Sequence, residues 1–216
     1  MRGITSVVLA TTNKTKIKEL SPVFRDLGVH VFTLYDFPRV IDRIDEIGRT
    51  FKDNAFTKAR VAANYTNHVA IGDDSGLEVE ALGGEPGIYT SRYAQMHLGC
   101  KYDPERKIQQ NRELLLKNME AYQDPAQRKC RYVCAMAAVH PCRYEIVVQK
   151  TWEGELLKEE LGESKLSFDP LFWDSVLKKS AAQMTAEEKN SVSHRGQALR
   201  ELIVKLTEVI ETQNYY

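Results

Sequence analysis

The stretch Val69–Tyr93, VAIGDDSGLEVEALGGEPGIYTSRY, decides how this chain is read. A short apolar run, Val69-Ala70-Ile71, leads into Gly72 and then into two adjacent carboxylates, Asp73 and Asp74. The run is too short for a helix and predicts a buried strand over 69–75. Neighbouring acids at the end of such a strand repel each other and lose hydration. A bound cation relieves both costs, and Mg²⁺ suits the place because it takes one or two carboxylates together with substrate phosphates. The competing reading is a plain turn, since Asp, Ser and Gly are common turn formers. Leu77 to Ala81 can continue the sheet as a short ribbon, after which Gly83-Gly84 and Pro86-Gly87 force turns.

Upstream, residues 4–10 read as a first strand and Thr11-Thr12-Asn13-Lys14-Thr15-Lys16 as a polar turn. Lys14 to Leu27 carries Ile17, Leu20, Phe24 and Leu27 at helical spacing, with Pro22 placed to kink or split the helix. A strand, a polar turn and a helix together present free backbone N–H groups at the helix start, a natural anion site. Lys14 and Lys16 sit where the helix dipole disfavours a cation, a cost that a bound phosphate would offset. An exposed basic turn is the alternative. Val29 to Leu34 reads as a second strand, and residues 35–49 as a charged loop with a short element. Thr50 opens a helix, TFKDNAFTKARVAANY, whose Phe51, Ala55, Ala59 and Ala62 form a narrow face for close packing. Asp53 has two readings: the acid of a capping box with Thr50, or a third carboxylate aimed at the Asp73–Asp74 pair. Lys58, one turn on, is a solvated charge or a phosphate contact.

Downstream, Arg92 reads as a partner for nearby carbonyls or for phosphate. Pro104 to Met119 reads as a charged helix with Ile108, Leu115 and Met119 inward. Tyr132 to His140 and Tyr144 to Trp152 flank Pro141-Cys142-Arg143 and predict an antiparallel hairpin whose second strand ends at Glu153-Gly154. Residues 154–167 read as polar loop, and Ser167 to Trp173 as an aromatic segment around a buried acid, Asp169. Thr185-Ala186-Glu187-Glu188 is a capping box before Lys189. Ser193 is placed to cap a last helix in which Leu199, Leu202, Ile203, Leu206, Val209 and Ile210 recur at helical spacing. His194 and Arg195 fall in its first turn, again with the wrong sign for the dipole. These misfits and those at Lys14 and Lys16 point to one shared anionic ligand.

Thirty basic and thirty acidic residues cancel, so no global field recruits nucleic acid or an anionic membrane, and any polyanion site must be local. No apolar run approaches the ~18 residues of a membrane span. The start, Met1-Arg2-Gly3-Ile4, lacks the features of a secretory signal. Cys100, Cys130, Cys134 and Cys142 show no metal-binding spacing, which points to reduced thiols and a cytoplasmic protein.

Taken together and in order, these segments resemble the inosine triphosphate pyrophosphatase family. Thr11 to Lys16 matches its T-x-N-x-x-K pattern. Asp53-Asn54-Ala55-Phe56-Thr57-Lys58-Ala59 matches its acid-N-A-x-x-K-A helix. Asp73 to Leu77 and Gly83 to Tyr89 match D-D-S-G-L and G-G-x-P-G-x-Y, and Lys189 to Arg195 matches K-x-x-x-S-H-R. Any one motif is weak; the ordered set spans nearly the whole chain and is specific. The resemblance implies a single α/β domain over residues 1–216, elongated and two-lobed, with a long mixed sheet flanked by helices, a central cleft and usually a homodimeric assembly. It implies Mg²⁺-dependent hydrolysis of non-standard purine nucleoside triphosphates (ITP, dITP, XTP) to the monophosphate and pyrophosphate.

By the same resemblance Asp74 is the general base, with Asp53, Asp73 and Asp74 around the metal. The roles of Asp73 and Asp74 can be exchanged. Thr11, Thr12, Asn13, Lys14, Thr15 and Lys16, with Ser75, would hold the phosphates, Lys16 and the N–H groups of residues 12–15 foremost. Phe168 would stack on the purine and Asp169 would accept its N1–H, with Lys189, Ser193, His194 and Arg195 at the base. The chain departs from the family at Leu166-Ser167, where Phe-Gly is usual, which bears on base preference and leaves the catalytic residues untouched. Two alternatives stay open: a pyrophosphatase of related fold acting on other modified nucleotides, and a non-catalytic nucleotide sensor.

Overall fold

A computed structural model describes residues 4–38, 44–164 and 167–213. The strands are β1 (Ser6–Leu9), β2 (His30–Thr33), β3 (Val69–Val79), β4 (Lys129–Val139), β5 (Glu145–Leu156), β6 (Phe172–Asp174) and β7 (Lys179–Ser180). The helices are α1 (Lys14–Asp26), α2 (Phe51–Thr66), α3 (Tyr93–Leu98), α4 (Lys107–Asn118), α5 (Ala186–Val192) and α6 (His194–Gln213). The strands form one seven-stranded sheet in the order β2-β1-β3-β4-β5-β6-β7. It is mixed: β1 runs parallel to β2 and β3, whereas β6 is antiparallel to β5 and β7. At one end of the β4–β5 pair the His140 N–H donates to the Tyr144 carbonyl, and at the other the Leu156 N–H donates to the Arg128 carbonyl, the pattern of an antiparallel hairpin.

The chain divides into two compact units, one of Met1–Asp74, Cys134–Lys150 and Gln197–Tyr216, the other of Ser75–Val133 and Thr151–Gly196. In the first, Val7 and Leu9 of β1, Ile71 of β3 and Met136 of β4 share a core with Leu20 and Phe24 of α1 and Leu199, Leu202 and Leu206 of α6. The alanine face of α2 lies directly on β3. A Cβ added at Gly72 would stand 2.2 Å from the Ala55 carbonyl oxygen and 2.7 Å from the Ala59 nitrogen, so only glycine admits this approach. In the second unit Leu77, Leu115, Met119, Tyr132, Trp152, Phe168 and Phe172 pack together.

The structure differs from the sequence expectations at several points. Pro22 lies inside α1, which continues as one element to Asp26; the carbonyl that Pro22 leaves unbonded belongs to exposed Lys18, where water can meet it. β3 runs without a break to Val79, so the expected ribbon is the same strand. β5 passes Glu153-Gly154 and ends at Leu156, because Gly154 gives room to the Phe172 ring, whose Cζ would be 2.5 Å from an added Cβ. In α4, Leu115 and Met119 after its end are buried, but Ile108 is exposed; Asn111 and Arg112 turn inward instead. Of the loop expected over 35–49, residues 39–43 lie outside the described residues, as does Leu166.

Candidate active site

Adjacent residues of a strand point to opposite faces, and this separates the two acids of β3. Both are buried, Asp73 at 2% and Asp74 at 6% exposure. Asp73 meets the start of α1: the Lys16 ammonium lies 2.6 Å from its Oδ1 and donates to its backbone carbonyl at 3.5 Å. The Cys134 thiol approaches Asp73 Oδ2 at 3.9 Å. The dipole misfit of Lys16 is thus matched by a carboxylate of the chain itself. Asn13 caps α1, its Oδ1 accepting from the N–H groups of Thr15 (2.9 Å) and Lys16 (3.4 Å), while the Asn13 N–H donates to Thr11 Oγ1 at 3.1 Å. The Thr12 carbonyl accepts from the Tyr35 hydroxyl at 3.2 Å. Part of the N–H array at this turn is therefore occupied by the turn's own side chains.

Asp74 faces α2, on the side of β3 that Gly72 opens. Asn54 Nδ2 donates to its Oδ2 at 3.0 Å, and Lys58 Nζ lies 2.9 Å from its Oδ1. The same ammonium donates to Glu46 Oε1 at 2.7 Å, so one buried lysine bridges two carboxylates. Asn54 also fixes the approach to Glu46, its Oδ1 accepting from the Gly48 N–H at 2.9 Å. Burial pushes the Asp74 carboxyl above its ordinary range; Lys58 opposes this and Glu46 adds to it. Burial alone would lower the Lys58 ammonium, but Asp74, Asp73 and Glu46 outweigh it and hold Lys58 above its usual value.

Asp53 forms the cap of α2. Its Oδ2 accepts from the Thr50 N–H at 3.1 Å and its own N–H donates to Thr50 Oγ1 at 3.1 Å, a reciprocal capping box at the start of α2. Among the described residues no three acids, histidines or cysteines gather as a ready metal cage. The carboxylates that share a cation are Asp74 and Glu46. Glu46 was not singled out by the sequence reading, because it lies in the loop over 35–49. The only local hint is its place just before Gly48 and the Asn54 helix; that it would meet Lys58 and Asp74 is set by residues far apart in the chain.

The second unit holds the remaining predicted residues. Asp169 is 5% exposed and accepts from three donors: Lys189 Nζ at 2.5 Å and Ser164 Oγ at 3.4 Å on Oδ2, and the Tyr132 hydroxyl at 3.2 Å on Oδ1. Tyr132 is also stacked on the His194 ring, centroids 4.7 Å apart at 10°. Burial and the nearby Asp169 keep its hydroxyl protonated far above the ordinary tyrosine range. Trp152 extends the stack, 6.2 Å from Tyr132 and 6.3 Å from His194. Phe168 is fully buried in the core of this unit. Ser193 caps α6, its Oγ accepting from the Gly196 N–H at 3.1 Å, and Arg195 Nη2 donates to Ser75 Oγ at 2.9 Å. Tyr132 escaped the sequence reading because its run is uniformly apolar and gives no sign that one hydroxyl meets a carboxylate 37 residues away.

Fold and side chains define an α/β protein with a lysine-bridged carboxylate cluster in one unit and an aromatic-backed carboxylate in the other. The chain belongs to the Ham1 family, whose family model matches residues 7–205. It is 41% identical over 199 residues to a dITP/XTP pyrophosphatase of Nitratidesulfovibrio vulgaris, covering 92% of this chain and 94% of that protein. It is 35% identical over 210 residues to a dITP/XTP pyrophosphatase of Bacillus cereus, covering 96% and 98%. Among solved structures, a HAM1 protein from Coxiella burnetii superposes with a TM-score of 0.81 at 34% identity, covering 95% of this chain and 100% of that one.

Proposed function

We propose that this chain hydrolyses non-standard purine nucleoside triphosphates, ITP, dITP and XTP, to the monophosphate and pyrophosphate. The observation that carries the reading is the buried Asp74, held by Asn54 and by a lysine that it shares with Glu46. Burying Asp74 and Lys58 together, with half-buried Glu46 on the same cation, is costly, and a place that works on charge gives a reason to bear that cost. Hard carboxylate oxygens so placed fit Mg²⁺, with Asp74 and Glu46 as its holders; Asp73, on the other face of β3, would act on the charge from the Lys16 side. When bound, the ion would offset the charge of the triphosphate and orient it. Asp53, as the cap of α2, fixes the helix that presents Asn54 and Lys58.

Asp74 is the general base. Its raised affinity for protons suits a group that takes one from water. Asn54 and Lys58 hold the carboxylate in one orientation, so that water is aimed at the α-phosphorus with pyrophosphate leaving in line. Lys16 and the Thr11–Lys16 turn bind the phosphate tail by charge and N–H groups, with Ser75 as a further phosphate donor, while Arg195, which donates to Ser75 Oγ, serves the base. Asp169 accepts the N1–H of a 6-oxopurine, and Lys189, with His194 and Ser193 near the base, donates to its 6-oxygen. Adenine has no N1–H and carries a donor at position 6, so it leaves Asp169 and the cation unmatched, which a buried site penalises by orders of magnitude.

The test is incubation of the purified protein with ITP, XTP, dITP, GTP and ATP plus Mg²⁺. Monophosphate and pyrophosphate from the first three, with ATP far behind, is the expected result; diphosphate and orthophosphate would overturn it. We further infer a homodimer, checked by light scattering, and a cytoplasmic location, in keeping with cysteine positions that lack metal-binding spacing. Among the described residues no helix is long and apolar enough to cross a membrane.

A further inference from the structure

Arg112 is the one buried arginine of α4, a helix that carries none of the groups assigned above. It is 7% exposed, and its guanidinium is committed to a single loop. Nε donates to the Ser167 carbonyl at 2.5 Å, Nη2 to the Ser164 carbonyl at 2.7 Å, and Nη1 to Glu160 at 2.7 Å. The two carbonyls stand just before Phe168 and Asp169, and Ser164 touches Asp169 itself through Oγ at 3.4 Å. A planar guanidinium fixes the direction of each acceptor as well as its distance, which a lysine ammonium does not. Asp169 thus has one donor set on its carboxylate and another on the backbone that carries it.

We propose that Arg112 is a specificity-determining positioning residue: by clasping the carbonyls of Ser164 and Ser167 it sets where Asp169 presents its oxygens to the purine edge. This rests on the reading that Asp169 accepts N1–H. Arg112 touches no nucleotide; it acts through the loop. A small displacement of Asp169 weakens a hydrogen bond that only 6-oxopurines make, so the loss falls on ITP and leaves ATP nearly untouched. Glu160 is the exposed partner of the three, its side chain 41% accessible, and serves to balance the charge of Arg112.

The test compares Arg112→Lys, Arg112→Met, Glu160→Gln and Asp169→Asn in the full chain, by steady-state kinetics on ITP and ATP, with thermal unfolding to follow the fold. Arg112→Met is expected to raise KM for ITP by ~10- to 100-fold with kcat largely kept, and to lower the ITP:ATP ratio of kcat/KM by the same factor, the scale of loss from misplacing a binding group by about 1 Å. Arg112→Lys should show the same change in smaller measure, and carries the test if the methionine variant does not fold. Glu160→Gln should leave the ratio unchanged. Equal losses on ITP and ATP in the Arg112 variants would reduce the residue to a structural support and overturn the inference. So would a Glu160→Gln variant as unselective as Arg112→Lys. If Asp169→Asn collapses the ratio while the Arg112 variants preserve it, the inference alone fails. If Asp169→Asn preserves it, the reading of the base site fails and the inference with it.

Discussion

Replacing Lys58 with methionine keeps the unbranched stem, one atom shorter, and removes the cation from between Asp74 and Glu46. Lys58 is 8% exposed, with oxygens of the two acids at 2.9 and 2.7 Å. Breaking a buried ion pair from one side costs about 3–5 kcal/mol. The Glu46 side chain is 28% accessible, so the lower end applies, about 3 kcal/mol. For a chain of this length each kcal/mol moves Tm by about 2–4 °C, giving a fall of about 6–12 °C at neutral pH. The loss must depend on pH. Lys58 is the largest influence pulling the Asp74 carboxyl down, so without it Asp74 rises further. A carboxyl whose folded pKa is raised adds stability that is present below its unfolded value, near 3.8, and is lost as pH rises through the folded value. The gap in Tm between parent and variant should therefore widen from acid toward neutral pH. Mg²⁺ should stabilise the variant more than the parent, because Lys58 no longer competes for the same oxygens; a ligand at a hundred times its Kd contributes about 2.7 kcal/mol. Melting curves in EDTA and in Mg²⁺ across pH measure all of this. A variant with parental Tm, or one indifferent to Mg²⁺, would refute the reasoning.

Gly72→Ala should lower Tm by several degrees and kcat/KM with it, because the new Cβ strikes backbone atoms of α2 at 2.2 and 2.7 Å and shifts Asn54 and Lys58 from Asp74; overpacking costs about 1–3 kcal/mol, and an unchanged melting curve would contradict the close approach. Asp74→Asn should reduce kcat by at least ~100-fold while nucleotide affinity, read by calorimetry, is largely kept, and retained turnover would remove Asp74 from the base role. Among Cys130, Cys134 and Cys142, native alkylation followed by mass spectrometry should mark Cys142 alone, since the other two are buried and burial pushes the Cys130 thiol well up; rapid native labelling of Cys130 would contradict its burial.

What could be read in advance follows how local the cause is. The strand before Asp73, the capping boxes at Thr50 and Thr185, the Ser193 cap and the hairpin around Pro141 are set by residues within a few positions of each other. Their patterns stand in the sequence, and the structure contains each element. Helix periodicity likewise placed the apolar faces of α2 and α6. It misjudged α4, where Ile108 is exposed and the inward groups are Asn111 and Arg112. There the buried polar face is chosen by partners far along the chain: Arg112 binds a loop more than 50 residues away. Glu46 is hidden for a similar reason, since nothing in a charged loop shows that one of its acids will share a lysine with β3. Asp53 shows the limit of motif spacing. Two roles fit its position; the reciprocal hydrogen bonds with Thr50 show that the capping one is formed, and spacing does not decide whether its carboxylate also serves a metal.

The central claim, that water is directed onto the α-phosphorus, is tested most directly by one turnover of ITP in water enriched in heavy oxygen, with both products weighed by mass spectrometry. Attack at the α-phosphorus predicts the label in the monophosphate and none in pyrophosphate. Label in pyrophosphate would show attack at the β-phosphorus and contradict the account.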